Sequence, residues 1–120
     1  MDMRQLLVDV SLVDIRFTLE SVVFEFLDMY AGARVATLTC ENVCAFSYSE
    51  PDGGGLPYYV GELNLRSVTR EEAVALVGKM GFGWRDTSGI LPDQTFLEHV
   101  EIDGGVVVSV VCRRSTLTGA

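Results

Sequence analysis

Val106-Val107-Val108-Ser109-Val110-Val111-Cys112 is the stretch on which the fold turns: five valines in seven residues, and no charge. In an extended chain Val106, Val108, Val110 and Cys112 point one way while Val107 and Val111 point the other. The pattern therefore predicts a central strand covered on both faces. β-Branched side chains are stiff at their first torsion and suit a pleated surface, which favours strand over helix here. Asp103-Gly104-Gly105 just upstream supplies a tight turn, and before it Phe96, Val100 and Ile102 share one strand face, so the two segments form a hairpin. Downstream, Arg113-Arg114 mark the emergence into water, and the tail from Ser115 to Ala120 is expected to fray.

The N-terminal half repeats the strand pattern. Val8, Val10 and Leu12 alternate with Asp9 and Ser11, and then the parity changes so that Val13, Ile15 and Phe17 carry the apolar face. A one-residue slip exchanges the two faces, so a bulge is expected near Leu12-Val13. After a turn at Leu19-Glu20-Ser21, Val22, Phe24 and Phe26 form the core face of a second strand that pairs with the first. Ala31-Gly32-Ala33 makes the next turn. Residues 34 to 49 read as one interrupted strand: Ala36, Leu38 and Cys40 face inward, Glu41-Asn42 kinks it, and Cys44, Phe46 and Tyr48 resume with the same parity. Residues 50 to 57, with two prolines and Gly53-Gly54-Gly55, read as a mobile loop. Tyr58 to Val68 is then a long strand with Leu63 and Leu65 on one face and Glu62, Asn64 and Arg66 on the other.

One helix interrupts the strands. Thr69 and Glu72 have the spacing of a capping box, Ala73, Val77 and Met80 lie along one face, Lys79 suits the C-terminal dipole, and Gly81 can take the left-handed cap. The helix is expected over about 70 to 80. Residues 82 to 93 lack a sustained period and read as connection. The fold class that follows is α+β, mostly β: a largely antiparallel sheet of about six strands, curved or sandwich-like, with the helix packed on one face. At 120 residues with 48% hydrophobic side chains, the chain has the size and core of a single domain spanning 1–120.

Charge and cysteine usage narrow the function. Seventeen acidic against nine basic side chains leave a formal charge of −8, which opposes nucleic-acid phosphates and anionic membrane surfaces. An acidic surface serves solubility, and it also suits a basic protein partner. Three cysteines cannot all pair within one chain and read as reduced core thiols, as in a cytoplasmic protein. The N-terminus places acidic residues on both sides of a short apolar run, unlike a signal peptide, and no run has the length of a membrane span.

Chemistry-bearing groups are sparse. Cys40, Cys44, Cys112 and His99 supply enough ligand types for zinc, but Cys40 and Cys44 are not spaced as a C-x-x-C knuckle, so no metal site and no cofactor are expected. His99 shares a strand face with Leu97 and Glu101, read as solvated, and nothing in the sequence sets a nucleophilic Ser or Cys beside it, so no catalytic residue is assigned. The three glycines at 53–55 lack the following Gly-Lys-Ser/Thr of a phosphate loop. Tyr58, Tyr59 and Trp84 have no basic groove in which to stack bases, but aromatic side chains beside a loop can anchor a protein partner. Tyr58, Tyr59, Trp84 and Glu62 are therefore the candidate partner-binding residues.

The order of elements carries a resemblance. An opening strand Asp9-Val10-Ser11-Leu12-Val13-Asp14-Ile15, Asn42-Val43 after strand three, one late helix, and Val100-Glu101-Ile102-Asp103-Gly104-Gly105 leading to Val111-Cys112-Arg113-Arg114 resemble small β-rich bacterial proteins, largely uncharacterised. Some of those are immunity proteins of polymorphic toxin systems. The resemblance spans most of the chain and implies a cytoplasmic binding protein without catalysis, whose acidic surface masks a basic toxin. The alternative reading is a small ligand-binding protein or enzyme with a cleft between sheet and helix, near Cys44, Tyr59 or His99.

Overall fold

The computed structural model describes residues 4–28, 30, 32–50, 55–79 and 96–119. Six strands, β1 (Arg4–Phe17), β2 (Val22–Asp28), β3 (Arg34–Ser49), β4 (Tyr58–Thr69), β5 (Phe96–Gly104) and β6 (Val107–Thr118), and one helix, α1 (Arg70–Lys79), follow one another along the chain. Every strand pairing is antiparallel, and the order β1-β2-β3-β6-β5-β4 returns from β4 to β1. The sheet is a closed barrel, which corrects the open curved or sandwich-like sheet with a packed helix expected from the sequence.

Closure rests on the length of β1. Its residues 10–17 pair with β2 on one edge, while residues 4–12 pair with β4 on the other, so one strand of 14 residues joins the two ends of the sheet. The stagger this demands is helped by irregularities that bend and twist strands. β1 shifts register between Leu12 and Asp14, where the parity change predicted it, and Asp9 takes φ 51°. β3 shifts between Val43 and Ala45, next to Asn42 at φ 54°. β4 shifts against β5 at Gly61, between Val60 and Glu62.

The interior holds the alternate residues of all six strands, including Leu12, Phe24, Phe26, Leu38, Leu63, Ile102, Val108 and Val110, each at most 1% exposed. β6 lies between β3 and β5, so the valine-rich strand has two neighbours, as does every strand of a barrel. Its outer face is covered only in part. Val111 is fully buried beneath the helix side, in a small outer cluster with Cys44, Ala45, Val68, Ala73 and Leu97, while Val107 stands 42% exposed.

The bulge in β3 alters one further expectation. Parity carried straight through Glu41-Asn42 would set Cys44 inward, but the extra residue puts Val43 in the barrel interior and Cys44 in the outer cluster. Phe96 is likewise not a core residue. It is the first residue of β5, opposite Thr69 at the end of β4, and is 46% exposed.

Helix α1 begins at the expected capping box: the Glu72 amide donates to Thr69 Oγ1 at 3.2 Å, and the Thr69 amide donates to Glu72 Oε1 at 3.0 Å. Ala73 is buried and Leu76 partly so, which covers the patch around Val68, Leu97 and Val111 and no more. A closed barrel buries its apolar face inside itself, so little is left for a helix to cover. The side chain of Val77, together with Met80, the Gly81 cap, residues 51–54 of the loop expected over 50–57, and the connection at 82–93, lies outside what is described.

Candidate functional site

Tyr58 and Tyr59 are successive residues of one strand and so point to opposite sides of the barrel wall. Tyr58 turns inward and is buried, whereas Tyr59 points outward, 47% exposed, and donates its hydroxyl to Asp9 Oδ1 at 2.7 Å. That hydrogen bond, followed by partial burial and the Asp9 charge, holds the Tyr59 phenol above its ordinary pKa, with a smaller contribution from Tyr30 nearby. The shift of register at Gly61 places Glu62 on the outer face as well, directly opposite Val8 of β1. Of the four candidates, the structure therefore brings Tyr59 and Glu62 to one surface and sends Tyr58 to the other side of the wall. Trp84 lies outside the described residues.

The outer surface around Glu62 is ordered by the strand register. Val8 pairs with Glu62, Glu62 with Asp103, and Asp103 with Val107, so four residues from four strands form one row across the barrel wall. The row sets two carboxylates at its centre between two half-exposed valines, with Val8 50% exposed. Tyr59 and Asp9 flank it one step along β4 and β1. Only Tyr59 and Glu62 of this surface were candidates from the sequence. Val107 carried a readable signal, an apolar side chain on the outward parity of β6, but the adjacency of Val8, Asp9 and Asp103 arises from pairings between strands distant in the chain.

His99 is not solvated. It is 3% exposed on the outer wall, where the Arg66 Nε–H donates to its Nδ1 at 3.0 Å and its Nε2 lies 2.7 Å from Ser109 Oγ. Glu101 Oε1 stands 3.4 Å from Nδ1, which gives a Ser-His-Glu arrangement that the sequence did not disclose. Its chemistry is nevertheless wrong for general-base catalysis. Arg66 can only donate, so Nδ1 must be the acceptor, the proton resides on Nε2, and Nε2 donates to Ser109 rather than drawing its proton away. Burial lowers the His99 pKa most; the Glu101 carboxylate pulls the other way, and the Arg66 charge adds a smaller lowering, so the balance favours the neutral imidazole. The group is a buried hydrogen-bonded tether between β4, β5 and β6.

The thiols gather more closely than their sequence positions imply. Cys40 and Cys112 are fully buried inside the barrel, and the neighbouring Cys40 thiol, followed by burial, pushes the Cys112 thiol well up. His99 is on the other side of the wall from this pair. Among the described residues no group of three or more His, Cys, Asp or Glu side chains is arranged to hold a metal ion.

Described residues line at least two concavities. One, of about 580 Å³, is lined by Glu41, Asn42, Ser67, Glu98, Arg113 and Arg114 among others, but three of its charged groups are engaged within the wall: Arg114 Nε is 2.9 Å from Glu41 Oε2, and Glu98 accepts from the amide and hydroxyl of Ser115. The other, of about 340 Å³, opens between the ends of β1 and β3 and is lined by Ile15, Phe17, Phe46 and Tyr48. Neither is a cleft between sheet and helix. Cys44 belongs to the helix-side cluster, His99 to the outer wall, and Tyr59 to the end of β4 far from the helix.

Among the described residues no helix is long and apolar enough to cross a membrane. A crystal structure of an uncharacterized protein from Neisseria gonorrhoeae is similar over the full length of both chains, with a TM-score of 0.68 and 15% sequence identity. At that identity the likeness speaks for the fold. No curated protein matches the chain. A family model described only as "-like" matches residues 5–118, nearly the whole chain, and the protein belongs to that family.

Proposed function

We propose that this is a non-enzymatic, cytoplasmic binding protein whose partner is a basic protein, and that its concrete role is of the immunity type, masking a cationic surface of a toxin. The observation that carries this reading is the outer row Val8–Glu62–Asp103–Val107, flanked by Tyr59 and Asp9. A strand register that sets Glu62 directly against Asp103 concentrates negative charge, an arrangement that costs stability within a sheet and is relieved by a bound cation. Tyr59 and the valines add the apolar contact that holds a complex once charge has assembled it. The His99–Ser109 pair, in the wrong tautomer for a base, supplies no competing catalytic reading.

The test is capture followed by kinetics. Protein carrying Glu62→Lys and Asp103→Lys is compared with wild type for capture of partners from the source cells, and association with the purified partner is followed at rising salt. Going from about 0.05 to 0.5 M shortens the Debye length from about 14 to about 4 Å, and should slow association strongly while leaving dissociation nearly unchanged. Tyr59→Phe, which loses the Asp9 hydrogen bond, should instead speed dissociation. An acidic partner, or a basic one whose association ignores both salt and charge reversal, would overturn the proposal.

A further inference from the structure

The slot at the barrel mouth has the chemistry of a ligand site, and it is independent of the outer acidic row. Its walls are aromatic and aliphatic. Phe17 and Phe46 meet edge to face with centroids 5.3 Å apart, Phe46 and Tyr48 are stacked at 6.4 Å and 14°, and Tyr48 meets Tyr58 edge to face at 6.2 Å. Strand lengths account for the opening. β2 begins opposite Cys40 and β4 begins opposite Leu12, so the inward side chains of residues 15–17 extend past β4 and those of residues 46–48 extend past β2. Phe17 is 52% and Tyr48 39% exposed as a result.

The slot has one polar end. The Tyr48 hydroxyl donates to Glu50 Oε1 at 2.6 Å, the Tyr48 and Tyr58 hydroxyls are hydrogen-bonded to one another, and the Gly55 amide donates to Glu50 Oε2 at 3.2 Å. These donors favour the ionised carboxylate and hold Glu50 below the usual range, while burial and the Glu50 carboxylate push the Tyr48 phenol upward. At neutral pH a fixed anion flanked by neutral phenols therefore stands directly behind the Tyr48 wall of the slot. Aromatic faces present negative quadrupole to a cation, and a carboxylate beside them completes a site of one sign.

We propose that the slot between β1 and β3 binds a small organic ammonium: an aromatic or short alkyl body lies against Ile15, Phe17 and Phe46, and its cationic head lies at the Tyr48 end against the Glu50 carboxylate. A cavity of about 340 Å³ takes a molecule of that kind and is at the small end of ligand pockets. An anion is repelled by Glu50 and by the −8 chain. A neutral molecule of the same shape gains the apolar contacts alone.

Amide NMR titration of the whole chain tests this with three probes of one shape: phenethylammonium, 2-phenylethanol and phenylacetate. The expected result is saturable shifts at residues 15–17, 46–50 and 58 with phenethylammonium, about tenfold weaker binding of the alcohol, and none of phenylacetate. Methylammonium, which shares the charge without the body, should produce no saturable shifts at these residues. Glu50→Gln should reduce phenethylammonium to the affinity of the alcohol and leave the alcohol unchanged, and Phe17→Ala, an exposed position, should weaken both. Equal binding of ammonium and alcohol by the wild type, shifts that map elsewhere, or indifference to Phe17→Ala would overturn the site. None of these outcomes bears on Glu62 or Asp103, so the slot and the acidic row stand or fall separately.

Discussion

Arg66 donates its Nε–H to His99 Nδ1 at 3.0 Å, and this one contact decides the tautomer of the chain's single histidine. A cation as donor leaves Nδ1 without a proton, so Nε2 serves Ser109, and protonation of the ring would bring two positive charges together in a buried place.

The first prediction follows from that geometry. In the unfolded chain His99 takes up a proton near pH 6.5, whereas in the fold burial and Arg66 delay uptake to lower pH. Between those two values the unfolded state holds more protons, so stability is full above about pH 7, falls as pH drops through 6.5, and levels off below the folded pKa. Denaturant midpoints from pH 8 to 5 should show this, and NMR titration of the one imidazole should give a pKa below 6.5 that rises in Arg66→Gln. A pKa at or above 6.5 in the wild type contradicts the assigned tautomer.

The two faces of β6 make a paired test of the barrel. Val108 is 1% exposed in the interior, and Val107 is 42% exposed beside Asp103. Val108→Asp places a carboxylate where it cannot be hydrated, at a cost of several kcal/mol, comparable with the whole stability of about 5–15 kcal/mol typical of a domain. Val107→Asp, on the outer wall, should cost less than about 1 kcal/mol. Urea unfolding checks both, and equal tolerance of the two substitutions would be incompatible with the observed facing.

At the turn into β6, a Cβ added to Gly104 would overlap the carbonyl oxygen of Tyr59, which also accepts the Gly105 amide at 2.7 Å. Gly104→Ala should lose about 1–3 kcal/mol, since backbone rather than a flexible side chain must give way. Gly105→Ala is the control, because its added carbon would lie 3.5 Å from Tyr59 backbone atoms, an ordinary contact. Thermal unfolding should separate them by several degrees.

For the thiols, Cys40, Cys44 and Cys112 are all buried, and the Cys112 thiol is raised by its contact with Cys40. A thiol reagent at pH 8 should therefore react slowly with native protein and with all three groups at once on unfolding. Rapid reaction of one thiol in the native state would show that the β3–β6 wall opens more readily than its packing implies.

Much of the local structure was legible in the residues themselves. The valine run of β6, the parity change at Leu12-Val13, the kink at Glu41-Asn42, the Thr69–Glu72 capping box and the glycines before Val106 each act through neighbours in sequence, and each appears where those residues place it. Net charge and the inward or outward sense of most strand residues were equally available, because a strand alternates whatever it pairs with. What alternation cannot contain is the identity of the partner strand. That β1 meets β4, closing the barrel, depends on a stagger of one strand against another far away in the chain. Closure in turn decided that the core lies inside the sheet, leaving α1 only a patch to cover. The same long-range arrangement decided what bears on function: Ser109 and Arg66 on either side of His99, Glu62 opposite Asp103, and Phe17 against Phe46 at the mouth. Each of these pairs is brought together by strand pairing or across the barrel mouth, and no local pattern specifies which strands meet.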